Sequence, residues 1–89
     1  MKKYSVTLFT AYWDGHNFLE NDFLRQCNMR KKYVHGEIVD CEEEEGVILT
    51  TKLAVKLLPY LIVKKGNETV FRGTFKNINQ LFQDTFDTK

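Results

Sequence analysis

The chain has one proline, Pro59, and two cysteines, Cys27 and Cys41, in 89 residues. Two cysteines cannot build the disulfide framework of a small secreted domain, and they fit a reducing compartment. No charge sign dominates, since 13 basic and 12 acidic residues leave a net charge of +1. That balance gives no electrostatic footprint for a nucleic acid or a membrane surface, so neither is expected as a partner. No apolar run reaches the roughly 18 residues of a membrane-spanning helix. Met1-Lys2-Lys3-Tyr4 passes directly into strand-like sequence, with no signal-peptide core. The expectation is a cytoplasmic protein. No Cys-x-x-Cys and no His/Cys cluster at ligand spacing occurs, so no metal and no other cofactor is expected.

What is present suits one folded domain spanning 1–89. Hydrophobic residues make up 43% and aromatics 13%, enough for a core and too many for disorder. Tyr4 to Ala11 is rich in β-branched and aromatic residues and reads as a strand. From about Gly15 to Arg30, Leu19, Phe23 and Cys27 recur every four residues with Phe18 and Leu24 flanking, which predicts an amphipathic helix. Val34 to Asp40 reads as a second strand, weakened by Gly36. Glu42 to Lys56 reads as a second helix. Its glutamates lie at the positive end of the dipole, and Ile48, Leu49, Lys52, Leu53 and Val55 crowd one face. Tyr60–Lys64 and Thr69–Arg72 flank Lys65-Gly66-Asn67, a hairpin turn in which glycine and asparagine supply positive φ. Asn77 can cap a last helix, with Gln80 three residues on and Ile78, Leu81, Phe82 and Phe86 as its buried stripe.

The predicted order is βαβαββα. The first βαβ unit should be parallel and the closing hairpin antiparallel, so an α/β fold with a mixed four-stranded sheet and helices on both faces is expected.

Between the first strand and the first helix stands Trp13-Asp14-Gly15-His16-Asn17. It resembles the Trp-Cys-Gly-X-Cys redox centre of the thioredoxin superfamily, most of all the Trp-Cys-Gly-His-Cys form of protein disulfide isomerases. A second stretch, Lys56 to Asn67, is similar to the thioredoxin segment that enters a strand through a cis-proline and turns at a Lys-Asn-Gly-like hairpin. Val70-Phe71-Arg72-Gly73 looks like the strand and closing glycine that follow. The resemblance runs from Tyr4 to Phe86 and lacks the extra strand and helix that open full-length thioredoxin. It implies a thioredoxin-like fold and a cis Leu58–Pro59 bond.

The same resemblance argues against the family's chemistry. Thiol–disulfide exchange needs an attacking thiolate, and Asp14 and Asn17 occupy the two cysteine positions. Asp14 reads instead as a helix cap, and Asn17 with Glu20 also has capping character. His16, which would stabilise the thiolate, has none to stabilise. Leu8 stands in the region where thioredoxins carry a buried acid. Of the two cysteines present, Cys27 lies on the apolar stripe and belongs in the core. Cys41 precedes four glutamates, whose charge disfavours a thiolate.

A redox-inactive, non-enzymatic module that binds another protein or an extended peptide is therefore expected. Its groove would be formed by Trp13, Gly15, His16, Leu58, Pro59 and Gly73, with the backbone of Leu58 pairing strand-like with the ligand. The alternative is a glutathione or thiol-cofactor site using Tyr12, near the place where glutathione transferases carry Tyr or Ser, or weak oxidoreductase chemistry at Cys41. A homodimer through the edge strand 34–40 is a further expectation.

Overall fold

The computed structural model describes residues 3–11 and 17–87, with Asn17 described for its backbone. The elements are β1 (Tyr4–Thr10), α1 (Asn17–Met29), β2 (Val34–Asp40), α2 (Glu44–Lys52), β3 (Tyr60–Lys65), β4 (Glu68–Thr74) and α3 (Ile78–Phe82). The last helix runs on as a π-helical segment over Gln83–Asp87. The sheet order is β2-β1-β3-β4. β1 and β2 are parallel, and the β1/β3 and β3/β4 pairs are antiparallel. This is the expected βαβαββα mixed sheet.

Strand alternation divides the side chains between two faces. Val6 and Leu8 of β1, Val34 of β2, and Leu61 and Val63 of β3 point to one face. There they meet Phe23 and Cys27 of α1 and Ile78 and Phe82 of α3 in one buried cluster. Phe23 and Phe82 pack edge to face, 5.9 Å between centroids. The amphipathic stripes read for α1 and α3 are the stripes that are buried. Asn77 caps α3, its side-chain oxygen accepting from the Gln80 N–H at 3.1 Å.

The opposite face carries Ser5, Thr7 and Phe9 of β1 and Ile62 and Lys64 of β3. α2 covers it only in part. Between them lies a cavity of about 340 Å³, also lined by Leu49 of α2 and by Leu53, the residue that ends it. Here the helix departs from expectation. It spans Glu44–Lys52 and not Glu42–Lys56, because Ala54 takes a left-handed φ of 58° and turns the chain out of the helix. Val55 is therefore off the helix, and Ile48 is 61% exposed. Leu49 and Leu53 alone carry the face predicted for five residues.

β4 is longer at both ends than the predicted Thr69–Arg72. In the β3–β4 turn only Gly66 has positive φ, at 64°. Asn67 does not, so one left-handed residue suffices where two were expected. The weakness assigned to Gly36 is also corrected. A Cβ on Gly36 would lie 2.5 Å from Cys27 Sγ, so the missing side chain is what lets α1 settle on β2.

Candidate functional site at one end of the sheet

Phe9 stands opposite Tyr60, Tyr60 opposite Thr74 and Leu61 opposite Gly73. These registers bring the outgoing end of β1, the incoming end of β3 and the outgoing end of β4 to one end of the sheet. Leu58 and Pro59, both half-buried, immediately precede β3. The Leu58–Pro59 bond is cis. Gly73, one residue from the end of β4, has a φ of 157° that L side chains rarely adopt.

The residues that join β1 to α1 leave from Ala11, which is buried at this same end. Tyr12, Trp13, Asp14, Gly15 and His16 lie outside the described residues, as does the side chain of Asn17. The cap expected of Asp14 and the contact surface expected of Trp13, Gly15 and His16 therefore fall outside them too. α1 begins at Asn17, with Glu20 in its first turn.

Sequence reasoning missed the part played by Arg72. Its Nε donates to the Tyr60 hydroxyl at 2.8 Å and its Nη2 to the Leu53 carbonyl at 2.5 Å. Its guanidinium also lies 5.5 Å from the Tyr60 ring centroid. One side chain thus ties β4 to the first residue of β3 and to the end of α2, bracketing the segment that carries Leu58 and Pro59. Strand alternation could have placed Arg72 and Tyr60 on one face, but not the Leu53 carbonyl beside them.

Thr10, the last residue of β1, is 2% exposed, and its hydroxyl has no hydrogen-bond partner among the described residues. Cys41 arrives at the same end of the sheet, its N–H donating to the Thr10 carbonyl at 2.9 Å. It is half-buried, with Sγ 4.0 Å from the Val39 carbonyl. Cys27 is buried in the core, as its place on the stripe implies. His35 lies towards the other end of β2, beside Glu37 at 3.2 Å. No group of three metal-ligating side chains occurs among the described residues. No helix among them is long and apolar enough to cross a membrane.

The fold is thioredoxin-like. Thioredoxin O2 of Arabidopsis thaliana, in its oxidised state, superposes with a TM-score of 0.77 at 23% identity, over 96% of this chain and 76% of that one. Thioredoxin f2 of Chlamydomonas reinhardtii gives 0.77 at 16% identity, over 100% of this chain and 84% of that one. Mitochondrial thioredoxin 3 of Saccharomyces cerevisiae, in its oxidised form, gives 0.76 at 17% identity, over 99% of this chain and 81% of that one. No family model matches the chain, and no curated protein does. The likeness is one of architecture, and at these identities it defines the fold.

Proposed function

We propose that this protein is a redox-inactive thioredoxin-like module that holds another protein by an extended segment. The observation that carries the reading is the convergence of three segments at one end of the sheet. The chain leaves β1 there toward Trp13, enters β3 there through Leu58 and Pro59, and closes β4 there at Gly73. Asp14 and Asn17, at the two cysteine positions of the motif, carry no thiol, so ligand capture is non-covalent. Leu58 offers backbone groups for strand-like pairing with an extended ligand. Trp13 offers a rigid apolar contact of the kind that dominates interfaces. The Arg72 bridge to Tyr60 and Leu53 pre-organises the Leu58–Pro59 segment, which lowers the ordering cost of binding.

The test is affinity capture of the tagged full chain from its native cells, repeated with Trp13→Ala. A partner retained by the parent and lost by Trp13→Ala, at unchanged melting temperature, supports the reading. A partner held equally well by both removes the groove from the interface.

A further inference from the structure

β2 is one edge of the sheet, and its backbone hydrogen bonds show which way each residue points. Tyr33 C=O accepts from the Tyr4 N–H, and Cys41 N–H donates to Thr10 C=O. The odd-numbered residues therefore face β1. Alternation turns the N–H and C=O groups of Val34, Gly36, Ile38 and Asp40 to the outer edge. Two of these groups are already used: Val34 N–H donates to Arg30 C=O, and Asp40 C=O accepts from Glu43 N–H. Among the described residues, Gly36 and Ile38 keep both groups on the edge, and Val34 keeps its carbonyl.

The side chains along this edge are self-complementary about Gly36. Lys32 and Asp40 stand four residues to either side, Tyr33 and Val39 three, Val34 and Ile38 two, and His35 and Glu37 one. An antiparallel strand of the same sequence, centred on the same glycine, would set each cation or imidazole against a carboxylate and each apolar residue against another. A neighbouring centre loses this match. Moving it to Ile38 sets Glu37 against Val39, and moving it to Val34 sets His35 against Tyr33.

We propose that β2 is a dimerisation edge whose partner is a second copy of this chain, paired antiparallel about a two-fold axis between the two Gly36 residues. Each Gly36 N–H donates to the Gly36 carbonyl of the other copy. Each Ile38 N–H donates to the Val34 carbonyl of the other copy. On the outer face, His35 and Glu37 already lie 3.2 Å apart within one chain. Pairing sets each against its complement in the second copy, so two imidazoles and two carboxylates alternate around the axis. An imidazole directly across from a carboxylate can donate a hydrogen bond to it, and like charges across a strand pair destabilise it.

Cys27 sits directly over Gly36, so α1 runs above β2. The Gln26 side of α1 reaches α3, through Gln26 Nε2 to Asn79 Oδ1 at 2.9 Å. Helical geometry places Leu24 on the opposite flank, towards the sheet edge, and it is 50% exposed. Pairing would bring the Leu24 flanks of the two α1 helices to face one another. Glycine at the axis adds no side chain to the crowded space between them.

The interface is short and belongs to the small class of specific contacts, so the dimer is expected to be weak and to form as protein concentration rises. The inference stands apart from the groove reading, since β2 lies on the far side of β1 from β3 and β4. The test is sedimentation equilibrium of the full chain at low salt, with Glu37→Lys, His35→Glu and the double variant H35E/E37K. These two side chains are 61% and 53% exposed, so melting temperatures should not change. Ile38 is unsuitable as a probe, because it packs against the core.

Each single variant is expected to weaken dimerisation by about tenfold, and the swapped double variant to recover most of the loss. Hydrogen exchange at the Gly36 and Ile38 amides should slow as protein concentration rises. A chain that stays monomeric at about 1 mM overturns the proposal. So does a dimer indifferent to Glu37→Lys, or a double variant no better than the singles.

Discussion

Arg30, the residue that follows α1, grips the carboxylate of Asp87 with one edge of its guanidinium: Nε donates to Oδ1 at 3.1 Å and Nη2 to Oδ2 at 2.5 Å. Arg30 is only 6% exposed. Its Nη1 donates to the carbonyl and side-chain oxygen of Gln26. The guanidinium also lies over the rings of Phe82 and Phe86, 5.4 and 6.0 Å from their centroids. The last turn of the chain is thus locked to the first helix by a buried cation.

Removing the anion should leave that cation under-satisfied. Asp87→Ala is expected to lower stability by about 1–3 kcal/mol in urea unfolding, the cost of leaving a buried donor without its partner. Asp87 is itself 46% exposed, so the upper end is not expected. Arg30→Ala should cost more, because it also strips the contacts to Gln26, Phe82 and Phe86. The double variant should cost less than the sum of the two, since the sites share one interaction. Full additivity would show that the pair contributes nothing.

Gly36→Ala is expected to destabilise the fold by about 1–3 kcal/mol, the usual cost of overpacking. The new Cβ would meet Cys27 Sγ at 2.5 Å. Cys27→Ala removes the sulfur and should restore part of the loss in the double variant, though Cys27 Cβ at 3.2 Å remains tight. Thermal unfolding of the three variants measures this. A double variant less stable than either single one would contradict the geometry.

The cap of α3 offers a local test. Asn77→Ala removes the acceptor for the Gln80 N–H and should cost about 0.5–2 kcal/mol. Asn77→Asp should cost less, because Asp caps about as well. α3 also anchors Ile78 and Phe82 in the core, so the loss should appear in global unfolding and not only as fraying. Chemical denaturation with two probes, fluorescence and far-UV circular dichroism, would reveal which occurs.

Disulfide chemistry gives the fourth prediction. Thiol-dependent reduction of insulin is expected to be absent, since Asp14 and Asn17 carry no sulfur. Cys41 is the cysteine the fold brings to the relevant end of the sheet, so Cys41→Ser is the control. Reduction at an ordinary thioredoxin rate, abolished by Cys41→Ser, would replace the binding reading with a single-cysteine enzyme. A measurable affinity for millimolar glutathione that weakens in Tyr12→Phe would instead favour a thiol-cofactor site.

Local patterning determined much of this architecture. The bounds read for Val34–Asp40 are those of β2, because alternating apolar residues between a charged turn and an acidic run leave little choice of strand ends. The i, i+4 spacing of Leu19, Phe23 and Cys27 marks the buried face of α1, and Asn77 with Gln80 marks the start of α3. Each of these signals lies within a few residues of chain. Other features needed distant parts of the chain to meet. Gly36 looks like a flaw in a strand until Cys27 is placed above it. Arg30 looks like a solvated helix end until Asp87, fifty-seven residues away, arrives beside it. Arg72 reads as an exposed strand residue until Tyr60 and the Leu53 carbonyl are brought under its guanidinium. Leu49 and Leu53 face the sheet while Ile48 does not, because Gly46 brings the first turns of α2 close to the Asp40 carbonyl and so turns that flank of the helix inward. Periodicity along the chain reports which face of an element is apolar. Packing between elements decides what that face meets, and only the folded sheet sets Leu58, Pro59 and Gly73 at one end and leaves Gly36 at an edge.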